Sequence, residues 1–110
     1  MFFKPWQVKA IEHLNKIHPK GAKSLEVYTE INKTTKISRP SVINFLNAAV
    51  DDKILTYTMT SGKGGHYRIY ELAHAGDELA IFLIKTVVKK LLEDYPEETG
   101  KILRQFESRY

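Results

Sequence analysis

Ile37-Ser38-Arg39-Pro40-Ser41-Val42-Ile43-Asn44-Phe45-Leu46-Asn47-Ala48-Ala49-Val50 is the stretch on which the reading of this chain turns. Ser38 is a helix-capping residue type, and Pro40 stands just inside, where a proline costs no hydrogen bond. At 100° per residue, Val42, Leu46, Ala49 and Val50 share one side of the helix. Pro40, Ser41, Asn44, Asn47 and Ala48 fall on or near the other. The outer side has no acid before Asp51, and it is built of small and amide side chains.

Upstream, Pro5 opens a helix whose apolar positions are Trp6, Ala10, Ile11, Leu14 and Ile17, and His18-Pro19-Lys20-Gly21 ends it. Ser24 is the expected N-cap of a short second helix with Val27, Tyr28 and Ile31 on its apolar side. Asn32-Lys33-Thr34-Thr35-Lys36 is a polar turn. Downstream the period changes. Ile54 and Thr56-Tyr57-Thr58-Met59-Thr60 read as a strand, Ser61-Gly62-Lys63-Gly64-Gly65 as a turn, and His66 to Leu72 as the return strand of a hairpin. In the return strand Tyr67, Ile69 and Glu71 alternate with Arg68, Tyr70 and Leu72. A long helix is expected from His74 or Ala75 to Tyr95, and a short one from about Glu97 to Ser108, after Pro96. The fold class expected is mainly α with a small β-hairpin.

Two short helices, a turn, a third helix opened by Ser38-Arg39-Pro40-Ser41-Val42, and a hairpin with a basic glycine tip resemble a winged helix-turn-helix. Residues 37–49 are similar to the recognition-helix segment of MarR, ArsR and PadR-like regulators, and small archaeal regulators look nearest in size. Asp51-Asp52-Lys53-Ile54-Leu55 is similar to the helix-to-wing junction of that group, His66 to Leu72 to its second wing strand, and Ala75-Gly76 to the start of the helix that follows. Lys53 departs from the pattern, because many relatives carry glycine there and a left-handed turn suits glycine best. The resemblance covers most of residues 8–95. It implies a sequence-specific regulator of transcription, repression being the expected mode, that binds double-stranded DNA as a homodimer. A recognition helix of about 38–52 would enter the major groove, and a basic wing of about 61–68 would meet the minor groove or phosphates.

Physical chemistry gives the same residues roles of their own. A major groove admits one helix and shows a different edge for each base pair. Asn44 and Asn47 each offer a donor and an acceptor to an adenine edge, and Ser38 and Ser41 sit at a helix start that attracts phosphate. Arg39 reaches a guanine or a phosphate. Lys63 and Arg68 are candidates for the wing contact, Arg68 having Glu71 or another acid as an alternative partner. Lys33 and Lys36 are candidates for phosphate contacts that position without reading sequence. Each also has a plain reading as a solvated surface residue.

The chain has 110 residues, 43% of them hydrophobic, and a formal charge of +4. One domain over 1–110 is expected, with a DNA-binding part at 5–72 and a helical part at 74–110 that residues 1–6 could join. Residues 1–72 hold 11 Lys/Arg against 6 Asp/Glu, and residues 73–110 hold 6 against 7, so the basic excess lies in the front part. Leu79, Phe82, Leu83, Val87 and Leu91, with their apolar neighbours, are too many for one core-facing stripe, and Ile102 and Phe106 add to them. These seven are the expected dimer interface, which Phe2, Phe3 and Trp6 could extend.

Cysteine is absent, which excludes disulfides and thiolate metal sites. The histidines 13, 18, 66 and 74 show no i, i+4 pairing, so neither a metal nor another cofactor is expected. No nucleophile and base stand in a recognisable relation, so catalysis is not expected. The longest apolar run, Leu79 to Ile84, is too short for a membrane span, and Met1 to Trp6 lack a signal peptide's pattern, so a cytoplasmic protein is expected. A small-molecule effector is neither indicated nor excluded. Two competing readings are a winged helix used for protein–protein interaction within a transcription or chromatin assembly, and a non-specific organiser of nucleic acid.

Overall fold

Helices take up most of the chain, in the order α1 (Pro5–Ile17), α2 (Ser24–Asn32), α3 (Arg39–Asp51), the strands β1 (Leu55–Gly62) and β2 (Gly65–Leu72), then α4 (Asp77–Asp94) and α5 (Pro96–Arg109). The computed structural model describes residues 3–109.

α1 starts at Pro5, and the Gln7 side chain turns back to accept from the Lys4 backbone amide at 2.8 Å. It stops at Ile17 because His18, ahead of Pro19, is held extended. α2 differs slightly from expectation. Its N-cap is Lys23, with no side-chain cap, and Ser24 is its first helical residue. At its other end Asn32 Nδ2 donates to the Tyr28 carbonyl at 3.0 Å and the Ile37 carbonyl at 3.3 Å, which pins the turn between α2 and α3. α3 is capped as its sequence predicts. The Ser38 hydroxyl accepts from the Ser41 amide at 3.3 Å, and the two hydroxyls bond each other at 2.7 Å.

Beyond α3, Lys53 does adopt the left-handed conformation, with φ of 64°. The turn closes through Lys53 N–H to the Val50 carbonyl and Ile54 N–H to the Ala49 carbonyl, at 3.0 and 2.9 Å. Backbone bonding there outweighs lysine's disfavour for the conformation. The hairpin pairs Leu55 with Leu72 through to Gly62 with Gly65. A third piece of backbone joins it, for Ala22 and Tyr70 exchange both hydrogen bonds at 2.9 Å. Gly21 permits that approach, because a Cβ there would come within 2.7 Å of the Tyr70 carbonyl oxygen.

The core gathers Ala10, Ile11 and Leu14 of α1, Val27 and Ile31 of α2, Val42, Phe45, Leu46 and Ala49 of α3, and Ile54, Leu55, Tyr70 and Leu72 of the hairpin region. Phe3 and Trp6 pack edge-on against Phe45, with ring centroids 6.3 and 5.5 Å away. These two aromatics therefore sit on α3 of their own chain, although the sequence left open that they could join the C-terminal strip; Phe2 lies outside the described residues.

α4 begins two to three residues later than expected. Gly76 takes φ 60° and ψ −134°, a glycine conformation that no helix continues through, and its N–H donates to Asn15 Oδ1 of α1 at 3.1 Å. Leu79 is buried in the core of its own chain, Phe82 and Leu83 pack against that core, and His74 stacks on Phe82 at 4.5 Å. Farther along, α4 packs against α5, tied to it by the Thr99 hydroxyl donating to the Leu91 carbonyl at 3.1 Å. The radius of gyration is 16.4 Å, against about 13 Å for a compact domain of about 100 residues. The longest dimension is 57 Å and the other two are 26 and 23 Å, so the two last helices form an arm.

Candidate nucleic-acid interface

α3 is set by its four buried apolar side chains, and that fixes what it leaves outside. Arg39, Pro40, Asn44, Ala48 and Asp51 are exposed in a row along the helix, with Ser41 and Asn47 half-buried on its two flanks. The row has no acid before its last residue. Asn44, as expected, projects free of the domain. Ser38 and Ser41 are occupied with each other and with the helix start, so their first role is to hold α3 in place.

Asn47 does something the sequence did not foretell. Its Oδ1 accepts from Arg68 Nη1 at 3.0 Å and from the Tyr70 hydroxyl at 2.6 Å. Arg68 lies over the Tyr57 ring at 4.1 Å, and Tyr57 and Tyr70 are cross-strand partners. Glu71, one of the acids open to Arg68 as an alternative partner, is on the opposite face of β2. A strand alternates its faces, and the registers Tyr57–Tyr70 and Met59–Arg68 put these four residues on one face of the hairpin. α3 and the hairpin are thus joined by a polar bridge.

Arg68 also borders a groove of about 400 Å³ with Lys23, Arg39, His66 and Tyr67. Three elements supply these side chains: the N-terminus of α2, the start of α3, and β2. Lys23 stands over the Tyr67 ring at 4.1 Å, and His66 Nδ1 is 2.9 Å from the Ser61 hydroxyl. Lys23, Tyr57, His66, Tyr67 and Tyr70 were not singled out from the sequence. The alternation of β2 was visible, but the register that pairs it with β1, and the bridge that brings residue 22 alongside, depend on long-range contacts.

Lys63 is exposed at the hairpin tip, beside Gly64 and Gly65, whose φ values of 94° and 111° make the turn. Lys36 is exposed and, among the described residues, has no ion pair. Lys33 is paired with Glu30 at 2.8 Å, and this hydrogen bond holds the Glu30 carboxyl below its ordinary pKa. The Lys33 charge is therefore already shared, unlike that of Lys36. Among the described residues no group of three or more His, Asp or Glu is placed to hold a metal, and no helix is long and apolar enough to cross a membrane.

On the arm, Leu79 is turned inward, which removes it from the expected partner surface, and Phe82 and Leu83 also face their own domain. Val87 and Leu91 are half-buried. Exposed instead are Ile81 at 52%, Ile84 at 62%, Leu92 at 40% and Tyr95 at 59%. These recur at helical spacing and form an unbroken seam with the half-buried Val88. On α5, Ile102 and Phe106 stay half exposed, at 50% and 55%.

This architecture is shared with solved structures. The chain is similar to a possible transcriptional regulator from Methanosarcina mazei Go1, with 11% identity, a TM-score of 0.65, and 96% of this chain and 80% of that one covered. It is also similar to MepR, a transcription regulator of the Staphylococcus aureus multidrug efflux pump MepA, with 18% identity, a TM-score of 0.55, and coverage of 97% and 79%. No protein-family model matches the chain, and no curated protein does. The chain therefore has the winged helix-turn-helix fold, as its resemblance in sequence implied, and the hairpin is the wing.

Proposed function

We propose that the chain is a homodimeric, sequence-specific DNA-binding regulator of transcription that acts as a repressor. α3 lies in the major groove, the tip of the wing meets the minor groove or flanking phosphates, and the arm of α4 and α5 joins two copies. One observation carries this reading: the exposed row on α3 is free of acid until Asp51 and stands beside a groove and wing supplying Lys23, Arg39, Lys63 and Arg68. Such a surface matches a base edge flanked by phosphates. Of the two solved structures named above, MepR is a transcription regulator and the Methanosarcina mazei protein a possible one, and this supports the same role here.

The second copy is supported by the shape of the arm. An elongated chain with a run of exposed isoleucine and leucine has apolar surface that it cannot cover itself. A twofold axis through that seam would repeat the recognition helix, and such pairs meet half-sites about 34–36 Å apart on DNA.

The test is duplex binding over a range of salt, with and without random competitor. A regulator retains one selected sequence against competitor at moderate salt. An organiser of nucleic acid binds all sequences alike with a steep salt slope, and a protein-interaction module shows no duplex affinity. Either of the last two results would overturn the proposal.

A further inference from the structure

Asn47 has its amide fixed before any DNA is present. A guanidinium only donates, so the atom that Arg68 Nη1 faces at 3.0 Å must be the amide oxygen. The Tyr70 hydroxyl at 2.6 Å then donates to the same oxygen, and the two lone pairs of that carbonyl are both in use. Turning the amide over would set its NH2 against the guanidinium, donor to donor. The partners are themselves held. Arg68 is stacked on Tyr57, and Tyr70 is 3% exposed with its backbone bonded both ways to Ala22. Meanwhile no described residue accepts from Asn47 Nδ2, yet no buried side-chain nitrogen or oxygen is left without a partner. The NH2 group therefore reaches solvent. It does so on the flank of the exposed row, about 60° around the helix from Asn44.

We infer that Asn47 is a specificity-determining residue that offers DNA donors only, and that it reads guanine. Guanine presents two neighbouring acceptors in the major groove, N7 and O6. Adenine presents N7 beside an N6 amino group. An unconstrained asparagine matches adenine with both of its amide atoms. Asn47, its oxygen engaged, would set its NH2 against the adenine amino group. Arg68 and Tyr70 are positioning residues that act through Asn47. This inference rests on the DNA-binding reading above and sharpens it at one base pair.

The experiment is selection from a random duplex pool by the wild-type chain, by Asn47→Asp and by Tyr70→Phe. Asn47→Asp keeps an acceptor for Arg68 and Tyr70 and replaces the donors with a second oxygen. Tyr70→Phe returns one lone pair to the amide. The wild type is expected to select a G·C pair at the position whose profile changes in Asn47→Asp, and that variant is expected to bind the selected duplex at least about fivefold more weakly. Tyr70→Phe is expected to admit A·T at that same position. If the Asn47-governed pair is A·T in the wild type, or if both variants select the wild-type profile, the inference is overturned while sequence-specific binding stands. Should Asn47→Asp melt below the assay temperature, Tyr70→Phe decides: no position at which A·T is newly admitted overturns the inference. A wild-type chain that enriches no sequence removes the DNA-binding reading, and this inference with it.

Discussion

Replacing Ile84 with glutamate strikes the proposed seam without touching the DNA-binding face. Ile84 is 62% exposed and Ile81, three residues before it, is 52% exposed, so most of the Ile84 side chain is available for burial against a second copy. Burying a whole isoleucine side chain is worth about 1.5–3 kcal/mol, and the share still open at Ile84 is worth about 1–2 kcal/mol. A twofold interface uses the residue in both copies, which doubles the loss to about 2–4 kcal/mol, before the cost of bringing two carboxylates together. The dimer dissociation constant is expected to rise roughly 30- to 1,000-fold. Because the side chain is mostly in solvent in the single chain, the monomer is expected to stay folded. Sedimentation equilibrium over a wide range of protomer concentration reads the result, with an unchanged circular dichroism spectrum and melting curve as the check on folding. A weight-average mass that matches the wild type at every concentration would refute the seam. So would a wild-type chain that sediments at 12.7 kDa throughout.

Three further outcomes are expected. Asn44→Ala should weaken the selected duplex by about 1–3 kcal/mol and relax preference at one base pair, as titration against single-base variants would show; equal loss on every sequence would count against direct reading. Lys63→Ala should weaken all duplexes alike and reduce the salt slope by about 1, so an unchanged slope would remove the wing tip from the phosphate contacts. Lys53→Gly should raise stability by about 0.5–1 kcal/mol in denaturant melts, because relief of the left-handed strain exceeds glycine's extra freedom in the unfolded chain; a loss of stability would show that the φ of 64° carries no strain.

Local signals were legible wherever one short segment decides its own conformation. Ser38 and Pro40 announced the start of α3, His18-Pro19 the end of α1, and the glycines after Lys63 the turn of the wing. Ser24 misled by one position because α2 begins without a side-chain cap. Residues that meet across the fold were less visible. Asn47 lies 21 residues from Arg68 and 23 from Tyr70, and no periodicity links a helix face to a strand face at that distance. The excess of apolar residues on α4 was legible as a sum but not in its division. Leu79 belongs to the chain's own core because the Gly76 turn, anchored to Asn15, sets the first helical turn against the domain. Ile81 and Ile84 point away for the same reason.

In the proposed complex the exposed row of α3, with the wing beside it, is the surface that meets DNA. Following the backbone amide resonances of the chain while a selected duplex is added tests this directly. The largest shifts should fall at Arg39, Asn44, Asn47 and Lys63, with α5 unmoved. Shifts confined to α4 and α5, or none at saturating duplex, would contradict it.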